Sequence, residues 1–306
     1  MKTSTKAKST AVPAAPPAAH NGFSLISNEK LLRLYAGMLK CRMIEERAAA
    51  LLSGDGAPRG FQAAIGHEAS AVGVLLDLLP EDIVAPSSRN PMAGILKGAP
   101  QESLLRPLTA ASALAPTPLQ NPPDGAGPLH LALGAALACK TENKGKIAVA
   151  LVHPVAAGPR SLDRFLQVAA THRLPLLFVR LSEWSGTPAS RTMQAREEEI
   201  ARETQACGVP RIAVDANDVV AVYRVSTEAI TQARKGYGPT LIDCVSIPST
   251  DLDPIRSMEA YLTRKGLFKR RLRREIAETF ARELDDAFRA AGVPLRSGET
   301  FPVAAG

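Results

Sequence analysis

An α/β fold, with a mainly parallel sheet and closing C-terminal helices, is what this 306-residue sequence predicts. From about residue 146 to residue 247, short runs of near-continuous apolar, often branched residues alternate with longer stretches of three- and four-residue apolar spacing. That is the pattern of strands buried on both faces between covering helices. Hydrophobic residues make up 45% of the chain and charged residues 22%, so it can bury a full core without a disulfide or metal staple.

Residues 1–22 are Lys, Ser, Thr, Ala and Pro with almost no bulky apolar side chain, and are expected to form a flexible arm. No apolar core of a signal peptide follows its lysines, and no run approaches 18 uninterrupted apolar residues, which points to a cytoplasmic chain without a membrane span. The folded domain is expected over 23–292, with a tail at 293–306.

Leu31, Leu34, Tyr35, Met38, Leu39, Ile44, Leu51 and Leu52 recur at helical spacing, with Ser27 as N-cap and Glu29 in the first turn. A second helix is expected from near His67 to Leu79, stopped by Pro80. Residues 100–128 are rich in Ala, Pro and Leu without a period, and a helix then covers Leu129 to Lys140. The expected strands are Lys146 to Val152, Leu174 to Leu181, Arg211 to Val214 and Thr240 to Ile247. Between them lie helices at Ser161 to Thr171, Gln194 to Cys207 and Val219 to Lys235, and two more close the chain at Ser257 to Leu267 and Arg271 to Ala291. The apolar segments 31–52 and 60–79 also suggest a face buried against a homologous chain.

The net charge is +7, and seven basic residues fall between Arg264 and Arg274; such a run is read first as a solvated helix face. Aromatics are scarce at 4%, which disfavours base-stacking modules for nucleic acid. Cys41, Cys139, Cys207 and Cys244 are far apart with no CxxC pair, so neither a zinc site nor a secreted disulfide framework is indicated.

Four strings are more specific: LLRLYAGMLKCRMIEERAAAL (31–51), GFQAAIGHEASAVGV (60–74), LGAALACK (133–140) running into KIAVALV, and VDANDVVAVYRVSTEAITQARKGYGPTLID (214–243). With them the chain resembles the alpha subunit of the thiamine-diphosphate-dependent decarboxylating component of 2-oxo acid dehydrogenase complexes of the pyruvate, branched-chain and acetoin type. The second string carries the family's signature at Gly66, His67, Glu68 and Ala69, with His67 where Gln is usual.

The resemblance implies a doubly wound thiamine-diphosphate-binding domain and a beta-type subunit as partner, in a dimer or heterotetramer serving a lipoyl-bearing acyltransferase core. It implies thiamine diphosphate and Mg²⁺ as cofactors. The reaction is oxidative decarboxylation of a 2-oxo acid with acyl transfer to a lipoyl group. That makes the family oxidoreductases acting on the oxo group of donors with a disulfide acceptor.

Aligned on the family's pattern, the sequence departs from it at the cofactor. Where the family has Gly-Asp-Gly after a strand, this chain has His153, Pro154 and Val155; where it has an Asn pair after the next strand, this chain has Ser182 and Glu183. Pro offers neither a donor N–H nor a side-chain oxygen, so it can neither cradle phosphate nor ligate a metal. Of the Tyr-Arg-x-His stretch, Ser88, Arg89, Asn90 and Pro91 stand in its place. The cofactor-binding candidates carried over are therefore Arg89, Ser88 and Glu183, the last also the one candidate metal ligand, and cofactor binding is expected to be weak or lost. Two readings remain: an alpha-type subunit of such a dehydrogenase with a degenerate cofactor site, or a non-catalytic paralogue acting as scaffold or regulatory subunit.

Overall fold

A computed structural model describes residues 26–52, 65–85, 92–98, 127–152, 159–181, 191–245 and 253–290. In chain order the elements are α1 (Asn28–Leu52), α2 (Glu68–Leu75), β1 (Ile83–Ala85), α3 (Met92–Leu96), α4 (Gly127–Glu142), β2 (Ala148–Val152), α5 (Pro159–Thr171) and β3 (Leu176–Leu181). Then come α6 (Arg191–Ala206), β4 (Arg211–Asp215), α7 (Val219–Arg234), β5 (Thr240–Val245), α8 (Pro254–Arg264) and α9 (Arg270–Ala290). The expected α/β class holds, and the N-terminal arm and the tail lie outside the described residues.

The five strands form one parallel sheet in the order β1-β2-β3-β5-β4. Every residue of β2 and β3 is buried, as strands covered on both faces must be. Successive side chains go to opposite faces. Ile147, Val149, Leu151, Leu177, Val179, Leu181, Ile242 and Cys244 join α1, α2, α3, α7 and α8 in one core. Ala148, Ala150, Val152, Leu176, Phe178 and Leu241 join α4, α5 and α6 in the other. On its far side α1 packs through Ile44 against Phe280, Leu284 and Phe288 of α9.

The cap read at Ser27 is present: its Oγ accepts the Lys30 N–H at 3.2 Å. The second helix is shorter than its sequence suggests. It ends at Leu75 because Leu78 N–H bonds the Leu75 carbonyl and Asp82 takes the Leu79 N–H at 2.7 Å, drawing the chain out of the helix before Pro80. The same Asp82 accepts Ile147 N–H at 3.1 Å and both ends of the Arg234 guanidinium, fixing the start of β1 beside β2.

Much of the apolar character of 31–52 and 65–79 serves the chain's own core, while residues 60–64 lie outside the described residues. Leu31, Leu34, Tyr35, Met38 and Leu39 of α1 and all of α2 are buried within the chain itself. Large apolar side chains stand in solvent at Ile65 and Leu79, on either side of α2, and on α4, where Leu131 is 50% and Leu137 54% exposed. No helix among the described residues is long and apolar enough to cross a membrane.

Candidate functional site at the sheet edge

Parallel pairing puts the carboxyl ends of all the strands on one edge, the usual place for a ligand in an open α/β sheet. Along it β1, β2 and β3 are neighbours, paired as Ala85 with Ala150 and Val152 with Arg180. The stretches singled out by resemblance begin there. Ser88 and Arg89 come shortly after Ala85, His153, Pro154 and Val155 directly after Val152, and Ser182 and Glu183 directly after Leu181. The topology thus starts all three stretches from adjacent strand ends. Ser88, Arg89 and Glu183 themselves lie outside the described residues, as do Pro154 and Val155.

Directly behind this edge, on the α5–α6 side of the sheet, lies an ion trio. Arg180, on β3, donates through Nε to Asp243 Oδ1 on β5 at 2.5 Å, while Arg211 on β4 grips Oδ2 with its Nε at 2.8 Å and a second guanidinium nitrogen. Asp243 is fully buried and Arg180 nearly so. A charge inside an otherwise apolar strand is expensive unless paired, and here the one charge of β3, Arg180, and the one charge of β5, Asp243, partner each other.

The signature Gly66-His67-Glu68-Ala69 forms a second knot. Gly66 turns with φ +94°, a left-handed conformation that suits glycine, and its N–H reaches Glu68 Oε2 at 3.0 Å. Glu68 is the first residue of α2 and fully buried, where the helix dipole favours a carboxylate. Arg42 of α1 binds it in a fork, Nε to Oε1 at 2.5 Å and Nη2 to Oε2 at 3.1 Å, and reaches Asp253 at 3.2 and 3.3 Å. Asp253 in turn caps α8 through the Ile255 N–H at 2.9 Å. One guanidinium thereby ties α1 and α2 to the segment beyond β5.

Electrostatics define what these groups can do. Burial works against the Arg42 charge, but the hydrogen bonds and charges of Glu68 and Asp253 outweigh it and hold the guanidinium charged. Burial lowers His67, which keeps its imidazole neutral near pH 7. Burial is also the first cause raising all four thiols, Cys244 to about 12, so none of them is a ready thiolate nucleophile. No group of three His, Cys, Asp or Glu side chains suited to a metal ion occurs among the described residues.

Sequence reasoning quoted the Glu68 signature without a role and missed the trio altogether. The signal for the trio was present: Arg180 inside LLFVRL and Asp243 inside TLIDCV are the only charges in two apolar strands.

Comparison with known proteins gives this geometry its relatives. The family profile described as "Dehydrogenase E1 component" matches residues 36–247. The alpha subunit of acetoin:2,6-dichlorophenolindophenol oxidoreductase from Bacillus subtilis is 28% identical over 239 residues, covering 74% of this chain and 72% of that protein. The alpha subunit of 3-methyl-2-oxobutanoate dehydrogenase from Mycobacterium tuberculosis is 34% identical over 191 residues, 54% of this chain; the match spans about half, 51%, of that relative. The pyruvate dehydrogenase E1 component alpha subunit of Staphylococcus aureus is 25% identical over 300 residues, covering 87% of this chain and 79% of that protein.

Proposed function

The chain belongs to the dehydrogenase E1 component family, and we propose that it is an alpha-type subunit whose cofactor site is degenerate, acting as a scaffold or regulatory subunit beside a beta-type chain. The observation that carries this reading is the tripeptide after β2. The strand ends at Val152 and the chain continues His153-Pro154-Val155, where the family pattern asks for Gly-Asp-Gly. Val155 adds a Cβ where the backbone must approach a phosphate, and Pro154 removes both the N–H and the carboxylate. After β3, Ser182 and Glu183 stand where the family has its Asn pair, so with Pro154 neither the Asp carboxylate nor an Asn amide oxygen that the family pattern brings to Mg²⁺ is present. This donor set does not fit a magnesium diphosphate.

Association is supported by α4. From Gly127 to Cys139 it carries no charged residue, and its outer side presents Leu131, Gly134, Leu137 and Ala138 to solvent. A solvated helix face normally bears charge, so an uncharged one suits burial against a partner chain. The lipoyl-bearing acyltransferase core enters as a further partner by family only. A cytoplasmic location is supported by four free thiols.

A second reading, an alpha subunit that itself takes part in 2-oxo acid decarboxylation, rests on Arg89, kept from the family pattern, and on Glu183, a carboxylate in place of its Asn pair. Calorimetric titration with thiamine diphosphate and Mg²⁺, with and without a beta-type chain, separates the two. Affinity no better than millimolar, about −4 kcal/mol, is the expected outcome. Micromolar binding would overturn the degenerate-site reading.

A further inference from the structure

Where α5 packs against α6, the carboxyl groups of Asp163 on the one and Glu203 on the other are neighbours. Asp163 Oδ1 and Glu203 Oε2 are both buried, and among the described residues neither has a hydrogen-bond donor. Two facing carboxylates meet this situation by sharing a proton, since like charges in contact disfavour double ionisation. Burial first, then the hydrogen bond to Asp163 and the charges of Asp163 and Glu199, push Glu203 up to about 8.

The other described neighbours add no relief. Cys207, in the turn after α6, lies with Sγ 3.9 Å from the Asp163 carbonyl, and its thiol is raised by burial and by the two carboxyls. On β4, which packs against α6, the Arg211 guanidinium is engaged by Asp243. Among the described residues, the groups that act on or beside Glu203 are Asp163 from α5 and Glu199 and Cys207 from its own helix and the turn after it, all of them acids.

We propose that Asp163 and Glu203 share one proton that pins α5 to α6, making this helix pair a pH-sensitive clamp behind the edge where β2 and β3 end. α5 is the helix after β2 and α6 the helix after β3, so the clamp holds together the helices behind two of the three stretches at the sheet edge. When the proton leaves to a base in solvent, two carboxylates are left facing each other and the helices part more readily. The inference concerns proton binding by the chain alone and stands whether or not a cofactor binds.

Linkage gives the sign. Glu203 is raised above its unfolded value, so the contribution is complete below about pH 4.3 and is lost as pH rises through about 8. Hydrogen exchange of the full chain from pH 5 to 9, corrected for the intrinsic rate and referenced to α7, reads this directly. Local opening of α5 and α6 should rise by up to roughly tenfold per pH unit and level off above the titration. Glu203→Gln keeps the size of the side chain and can donate to Asp163 without titrating, so it should flatten the profile. Asp163→Asn should do the same, while Cys207→Ala should leave it unchanged. A wild-type profile parallel to that of α7, or a slope that persists in Glu203→Gln, would overturn the proposal.

Discussion

Arg42 holds Glu68 along one side of its guanidinium and, 211 positions further along the chain than itself, Asp253 along the other. Glu68 is fully buried, whereas the Asp253 side chain is 32% exposed, so the two halves of this relationship are unequal. Arg42→Met strands the Glu68 carboxylate without its counter-charge and should cost about 3–5 kcal/mol in urea unfolding. Asp253→Asn keeps an oxygen to cap α8 and should cost no more than about 1 kcal/mol. Equal effects would show that the fork to Glu68 is not the dominant part.

His67 offers a test by pH. Burial lowers its pKa, so the folded chain prefers the neutral ring, and the contribution is present above about pH 6.5 and lost as pH falls through the lowered folded value. His67→Gln, the residue usual at this place in the family pattern, should remove that part of the stability loss on acidification. Thermal melts of both proteins between pH 4.5 and pH 8, on the order of one unit either side of the His range, provide the check.

At lower pH a different pair acts. Burial would raise Asp77, but hydrogen bonds from Lys30 and Tyr223 and the nearby positive charges outweigh it and hold the carboxyl below its usual range. Its contribution is present above about pH 3.9 and lost as pH falls through the depressed value. Asp77→Asn should therefore shallow the acid limb of the unfolding profile without moving the neutral plateau by more than about 1 kcal/mol.

Two glycines predict opposite outcomes. A Cβ on Gly73 of α2 would lie 2.7 Å from Val222 Cγ1, 2.8 Å from Val222 Cβ and 3.0 Å from the Tyr223 nitrogen of α7. Gly73→Ala should destabilise the chain by roughly 1–3 kcal/mol through overpacking. Gly134 of α4 has nothing within 4 Å, so Gly134→Ala should stabilise the isolated chain by about 0.5–1 kcal/mol. Denaturant midpoints of the two variants settle both statements.

Association is tested on the same helix. Leu131→Glu with Leu137→Glu charges the outer face of α4 without touching its buried side, so melting temperature should hold while assembly is lost. Sedimentation of wild type and double variant, alone and with a beta-type chain, measures it. A wild-type chain that stays monomeric and ignores the beta chain would remove this surface from consideration.

The centre of the sheet was legible because β2, β3 and β5 are buried on both faces: LLFVRL and TLIDCV leave little room for another reading. β1 was not, because three residues, Ile83–Ala85, carry no period, and their place is fixed by Asp82 bonding Ile147 and Arg234, contacts of long sequence separation. α3 was missed for the same reason of length, five residues after a proline. The sequence pattern put motif residues at strand ends, and the topology sets those ends side by side. What it could not supply is pairing at a distance: nothing in the local sequence of Arg42 points to Asp253, nor anything around Asp163 to Glu203.

Sheet order also dictates a sequence of assembly in time. Among the described strands β4 pairs only with β5, and β5 sits between β3 and β4 although it is made later. As the chain emerges from synthesis, β1, β2 and β3 can zip together in order, while β4 has no edge to join until Thr240–Val245 has inserted beside β3. Until then Asp243 is absent, and the two arginines that will hold it, Arg180 and Arg211, wait on separate strands. Completion of the sheet and pairing of both arginines with Asp243 are thus one event, late in folding, and a chain stopped before residue 240 would be left with β4 unpaired and α6 without the strand it packs on.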